Sequence, residues 1–284
     1  MLAPAIVAVG VFLLYPIFQT IVFSFFSLQR TQIITPDRFE GLGNYLRVFA
    51  NPNFYGALWF TLGFTAIAVI LDFLVGLGLA LSTFYVSRRF RTFLRVVIII
   101  PWAIPSVIQA SMWRWILNGD VGVLPQIIAA LGITDSPPQF LSVPVLAMIS
   151  VVLSYVWKGA SITAIFLTGG LASVPRELGE SAVMDGAGPL TRLIRVTLPV
   201  ISPTLLVTFL FRTRDALRVF DIVYGLTGGG PGTATETLSS LSYRTYFSFL
   251  RFGEGSALAF LTFVLVFAVS MLYIGPALRR FNFR

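Results

Sequence analysis

"LWFTLGFTAIAVILDFLVGLGLAL", residues 58–81, carries one ionisable side chain, Asp72, in a run otherwise made of aliphatic, aromatic and small residues. Crossing about 30 Å of hydrocarbon takes roughly 20 residues of helix. With no water in that layer, every backbone N–H and C=O must be satisfied within the segment, which a helix achieves and a lone strand does not. The stretch therefore reads as a membrane-spanning helix. Five more runs have the same character, at 2–23, 96–115, 143–168, 196–217 and 256–278, and the alternation of a β-barrel is nowhere visible. The first is read as a true span: its apolar run is too long for a signal peptide, no basic residue precedes it and no small-residue cleavage site follows. A single all-α membrane domain of six helices over residues 1–284 is the expected architecture.

Composition points the same way. Hydrophobic residues make up 56% of 284 and charged residues 11%, against about a quarter charged in soluble proteins. Lys and Arg number 20 against 12 Asp and Glu, and Lys158 is the one lysine. Arginines beside membrane spans suit anionic lipid rather than nucleic acid. Cysteine and histidine are absent, which excludes disulfides, thiolate nucleophiles, Cys/His metal sites and imidazole acid–base chemistry. No catalytic and no metal-binding residue is expected.

Arginine placement also orients the bundle. The connection after the second run holds Arg88, Arg89, Arg91 and Arg95, whereas residues 118–142 hold no Lys or Arg. The first of these connections is therefore cytoplasmic. Counting forward puts residues 171–195, with Arg176, Arg192 and Arg195, on the same side, and the tail "RRFNFR" there too.

That cytoplasmic connection contains "ESAVMDGAGPLTRLIRVTLP", residues 180–199, a polar and broken segment in a greasy chain. Ser173 is an expected N-cap, Pro175 fits a first helical turn, and Glu177 and Glu180 suit the positive end of a helix dipole. A short helix to Met184 should present Leu178 and Ala182 on one face, residues 185–189 should turn, and a second piece should run over 190–196 to Pro199, where the next span begins. Such a segment is either a long hydrophilic connector or a compact knob that docks on another protein.

The spacing of Glu180-Ser181-Ala182, Gly186 and Val196-Thr197-Leu198-Pro199 resembles the "EAA…G…I-LP" signature of permease subunits of binding-protein-dependent ABC importers, with Ser181 for alanine and Val196 for isoleucine. "DALRVFDIVYGLTGGGPGTATETL" from Asp215, "NYLRVFANPNFYGALWFTLGFT" from Asn44 and "LLYPIFQTIVFSF" from Leu13 are similar to the carbohydrate-type permeases, the group containing the maltose, trehalose and glycerol-phosphate systems. The likeness covers essentially the whole chain and resembles the first of the two permeases of such systems. Many relatives carry an amide where this chain has Asp215.

The resemblance implies a type I importer permease fold in a prokaryotic cell membrane. It also implies a second permease as heterodimer partner, two cytoplasmic ATPases holding ATP and Mg, an extracytoplasmic solute-binding protein, and a di- or oligosaccharide substrate of the trehalose or maltose kind. Residues 171–199 would be the coupling loop, with Glu177, Glu180, Ala182, Asp185, Gly186, Leu198 and Pro199 as its working residues. ATP chemistry would belong to the partners, since a phosphate loop needs Gly-Lys-Ser/Thr after a glycine run and Lys158 stands in "VWKGA". "TGGGPG", residues 227–232, reads as a tight outer turn rather than a phosphate cradle.

Charges inside spans call for a reason. Asp72, Lys158, Arg212, Arg214, Asp215 and Arg218 lie there, and either an ion pair of Asp72 with one of the cations or a polar cavity accounts for them. Trp157, Asp221 and Tyr224 join Asp72, Lys158, Arg214, Asp215 and Arg218 as expected gate or solute residues, while Trp113 and Trp115 fit an interfacial belt and Arg47 reads as a surface residue. Pro101 and Pro105 should kink the third run, and Gly159, Gly169 and Gly170 should loosen the fourth. Glycerol-3-phosphate is the alternative solute, because Arg212, Arg214 and Arg218 suit a phosphate. A stand-alone secondary carrier needs an ion site and internal repeats that are not visible, and a membrane enzyme needs a catalytic frame that is not visible either.

Overall fold

The computed structural model describes residues 3–30 and 33–281. Residue 2, at the start of the first expected run, and residues 282–284 of the basic tail lie outside the described residues. The first run forms α1, Ala3–Val9, and α2, Tyr15–Phe23, joined by a π turn, Gly10–Leu14. A short α3, Gly43–Ala50, leads to α4, Pro52–Tyr85, which starts where the Asn51 side chain accepts from the Asn53 N–H at 3.0 Å. The third run divides into α5, Arg88–Ala103, and α6, Ser106–Ile116; α7, Val123–Ala130, follows in the connection, and α8, Pro144–Ala172, is the fourth run. The polar connector contains α9, Arg176–Met184, and α10, Pro189–Arg192. A π turn, Leu193–Thr197, leads into α11, Leu198–Val200, and α12, Ser202–Leu217. The short α13, Asp221–Leu226, and α14, Leu238–Tyr243, precede α15, Phe252–Phe281. No strand occurs among the described residues.

Among the described residues, four segments are long and apolar enough to cross a bilayer unbroken: Ile6–Phe23, Pro52–Phe84, Pro144–Ala172 and Phe252–Leu272. The other two expected spans are not single helices. Arg89–Ala103 and Ser106–Ile116 meet at 94°, and Pro189–Val200 and Ser202–Leu217 meet at 75°. Proline is the cause in both. Pro101 and Pro105 remove backbone donors around Ile104, which turns extended at φ −75° and ψ 126°. Pro199 and Pro203 flank Ile201, which leaves helical geometry at φ −85° and ψ 7°.

The fourth run corrects the expectation for its glycines, because α8 is continuous through Gly159, Gly169 and Gly170. Gly159 and Gly170 serve close approach instead, while Gly169 faces open space. A Cβ on Gly170 would meet the Thr204 side chain at 2.9 Å, and one on Gly76 of α4 would press into Thr163 of α8. Small residues at helix contacts are how packing is achieved where lipid is as apolar as the core.

Three apolar clusters stack along the bundle. Phe64, Val69, Leu117, Val151, Val219 and Ile222 form one, into which Phe140 and Leu141 of the 117–143 connection pack. Tyr45, Phe54, Leu238 and Leu258 form the second. Ala80, Ile98, Leu167, Leu171 and Ile201 form the third, at the end where Phe84 meets the connector residues Val174 to Thr197 around one cavity. The arginine-bearing connection after α4 and the polar connector thus share one end, as the charge reading requires.

Candidate functional site

Between the first and third clusters α4, α8 and α12 meet in a polar layer. Asp72 is fully buried, and Arg212 grips it with two hydrogen bonds, Nε to Oδ2 at 2.9 Å and Nη2 to Oδ1 at 3.2 Å. Thr163 donates to Oδ2 at 2.6 Å, and the guanidinium lies over the Tyr155 ring at 5.0 Å. A bidentate arginine–carboxylate fork with its remaining lone pairs satisfied is the geometry that lets two charges tolerate a dry interior. Gly159 makes room for it, since a Cβ there would overlap both Arg212 and Asp72. Arg212 also reaches Asp215 at 3.6 Å, and Asp215 meets Arg214 at 3.4 Å.

Beside this layer opens a cavity of about 670 Å³, lined among others by Trp102, Gln109, Lys158, Asp215, Arg218 and Asp221. Lys158 donates to the Ile104 carbonyl at 2.7 Å and to the Ser106 hydroxyl at 3.0 Å. Buried Gln109 donates to the Ser154 carbonyl at 2.6 Å.

A second cavity of about 930 Å³ lies among α2, the end of α12, α14 and α15. Arg218 and Phe220 line both cavities and so stand between them. Its wall is a run of touching rings: Phe220 to Tyr243 at 4.9 Å, Tyr243 to Phe247 at 4.9 Å, Tyr246 to Phe247 at 4.8 Å. Ser239, Ser242 and Ser256 line it as well; the Ser242 hydroxyl donates to the Gly255 carbonyl at 3.0 Å, and the buried Ser256 Oγ has no hydrogen-bond partner among the described residues. Arg214 and Arg218 line it, and no carboxylate does among the described residues.

The loop between α13 and α14 is held from within. Gly228, Gly229 and Gly232 have positive φ, Thr235 Oγ1 donates to the Gly230 carbonyl at 2.7 Å, and Thr237 and Ser240 form a capping box at α14. Buried Glu236 pairs with Arg244 at 2.8 Å. Burial pushes the Glu236 carboxyl above the usual range, against the pull of Arg244.

At the other end the connector is two short helices around a glycine turn. Ser173 does not cap α9; its hydroxyl closes α8 by donating to the Gly170 carbonyl at 2.7 Å, and Pro175 occupies the N-cap position. The C-terminus of α9 is a Schellman motif: Ala187 N–H donates to the Ala182 carbonyl at 2.9 Å, Gly186 N–H to the Val183 carbonyl at 3.0 Å, and Gly186 has φ +79°. Open space surrounds Gly186, so its requirement is conformational. On α9 only Ala182 is buried; Leu178, Val183, Met184, Leu190 and Ile194 are exposed, Met184 at 87%. Glu177, Glu180 and Asp185 are exposed as well, Pro199 is exposed, and Leu198 packs on the third apolar cluster.

The predicted solute residues thus separate. Lys158, Asp215, Arg218 and Asp221 share the smaller cavity, Arg214 and Arg218 the larger. Asp72 is enclosed in its ion pair. Trp157 lines neither cavity and packs edge-on against Trp113 at 6.0 Å, while Tyr224 stacks on Phe220 at 5.2 Å. Arg47 is not a free surface residue: it bridges Glu40 and, at 3.0 Å, Glu254, tying α3 to the start of α15. Gln109, Thr163 and the rings of Tyr243, Tyr246 and Phe247 were not singled out from sequence; the aromatic density of "YRTYFSFLRF", residues 243–252, was the available signal.

Residues 72–280 match a family described as "Binding-protein-dependent transport system inner membrane component". The chain is 38% identical, over 96% of its length and 91% of the relative, to the trehalose/maltose transport system permease protein MalF of Thermococcus litoralis. It is 36% identical, over 96% and 88%, to the sulfoquinovosyl glycerol transport system permease protein SmoG of Agrobacterium fabrum. Its fold resembles a chain of a bacterial ABC transporter involved in the import of the acidic polysaccharide alginate, with a TM-score of 0.86 at 24% identity, covering 98% of this chain and 94% of that one.

Proposed function

This chain belongs to the binding-protein-dependent transport system inner membrane components, and from that premise we propose that it forms, with a second permease, the pathway for a di- or oligosaccharide of the trehalose or maltose kind. It is a sugar permease of an ABC importer in a prokaryotic inner membrane. Two cytoplasmic ATPases with their ATP and Mg drive it, and an extracytoplasmic binding protein delivers the solute. The observation that carries the solute reading is the cavity of about 930 Å³ lined by Phe220, Tyr243, Tyr246 and Phe247 together with Ser239, Ser242 and Ser256. Flat rings face sugar C–H surfaces and hydroxyls exchange hydrogen bonds with sugar OH groups, the usual division of labour in a ligand cavity. Vesicles holding this chain alone are expected to accumulate no sugar, and uptake is expected only with the second permease, ATPases and binding protein present. Accumulation by the chain alone would make it a secondary carrier.

A second reading, an anionic glycoside or glycerol-3-phosphate, is favoured by Arg214 and Arg218 in a cavity wall without carboxylates among the described residues. Arg218→Gln separates the two. A neutral sugar should lose about tenfold in apparent affinity, and a phosphorylated or sulfonated solute roughly a hundredfold, because hydrogen bonds to a charged acceptor are the stronger ones. Asp135→Asn, on an exposed outer residue, is the control. Equal losses for both solutes would remove Arg218 from charge recognition.

A further inference from the structure

We propose that Lys158 is the positioning residue of the broken third span: its ammonium pins the end of α5 to the start of α6 and so sets the shape of the smaller cavity. The break leaves a specific need. With Ile104 extended, its carbonyl points out of the helix ladder, and Pro105 supplies no N–H at the following position. Lys158 Nζ fills that need, donating to the Ile104 carbonyl at 2.7 Å and to Ser106 Oγ at 3.0 Å. A cation at a helix C-terminus also faces the negative end of its dipole.

The pin is not solitary. One turn earlier on α8, Ser154 receives the Gln109 amide through its carbonyl at 2.6 Å and its hydroxyl at 3.2 Å. Positions 154 and 158 share a helix face, so α8 holds α6 at two points one turn apart. Gln109 is buried and locks the packed side of α6. Lys158 is half-buried, lines the cavity together with Trp102 and Ser106, and has the Asp221 carboxylate acting on it from the first turn of α13. The same ammonium thus joins the two half-spans and carries the charge that faces Asp221. Movement of α6 relative to α5, which would reshape the cavity, must break its bonds to Ile104 and Ser106.

The inference rests on the chain being a permease of an importer, not on which solute it passes, and its test reads geometry without solute. The chain has no cysteine, so spin labels at Val97→Cys on α5 and Ser111→Cys on α6, both exposed positions, report one distance in the assembled transporter with cysteine-free partners. The wild-type background should give a single narrow distribution. Lys158→Met should raise the population of a second distance roughly tenfold, the scale of a lost charge-assisted hydrogen bond. Lys158→Arg, which still donates, should restore the narrow distribution. In vesicles Lys158→Met should lower the maximal uptake rate with KM unchanged. A Lys158→Met distribution identical to wild type overturns the proposal, as does Lys158→Arg spreading it equally. Where Lys158→Met fails to assemble, Ser106→Ala takes its place, and an unchanged distribution there overturns it as well.

Discussion

Arg212→Ala is expected to remove most assembled permease from the membrane, and Asp72→Ala to do the same. Each leaves a buried charge without its partner, a loss of about 3–5 kcal/mol, a large fraction of the roughly 5–15 kcal/mol that holds a typical domain folded. The Asp72 carboxylate would keep only Thr163, and the Arg212 guanidinium only the half-exposed Asp215 and the Tyr155 ring. Gly159→Ala should act in the same direction, since its Cβ would occupy the space of the pair. The double variant Asp72→Leu, Arg212→Met distinguishes a structural pair from a transport residue. An apolar replacement of a buried pair is often neutral for stability, so the double variant should recover assembly and thermal stability. Uptake returning with it would assign the pair to structure alone. Single alanine variants that melt within a degree or so of wild type would sink the argument.

Gly186→Leu is expected to leave insertion and solute preference intact while detaching or uncoupling the ATPase. Gly186 sits at φ +79° in open space, so leucine meets backbone strain rather than a clash, about 1–2 kcal/mol. That strain is large for a turn held by two backbone hydrogen bonds and should reorient α9, whose exposed Leu178, Val183 and Met184 would then meet the ATPase differently. Asparagine tolerates the left-handed region, so Gly186→Asn should behave nearly as wild type. Glu180→Lys, which reverses an exposed charge on the same helix, should weaken docking without disturbing the turn. ATPase co-purification and binding-protein-stimulated hydrolysis in the assembled complex are the measurements. If Gly186→Leu and Glu180→Lys both match wild type in these, the segment is a connector and nothing more.

Much of this molecule is written locally. Whether residues 58–81 or 143–168 enter a bilayer depends on summed side-chain transfer energies and on length, quantities carried by each segment alone. The expected orientation likewise rests on the arginines of residues 88–95, a local count. The Gly186 turn was legible because a Schellman motif needs only the residues within it. Local rules also misplaced some features. Ser173 closes the preceding helix instead of opening the next, and prolines foreseen as kinks in the third run make a 94° break.

The chain by itself determined an all-α membrane protein with six apolar runs, and where its arginines and its polar connector fall. Only the tertiary structure decided which cation serves Asp72. Lys158, Arg212, Arg214 and Arg218 were equal claimants in one dimension. The choice of Arg212 followed from the rotation of α12 and from Gly159, which lets α8 leave room for the pair. One residue along a helix turns a side chain through about 100°, and no local pattern reports how three helices are rotated against one another. For the same reason Lys158, the lone lysine, became the partner of a broken helix end on a different span, because the carbonyl it satisfies exists only once Ile104 leaves the ladder.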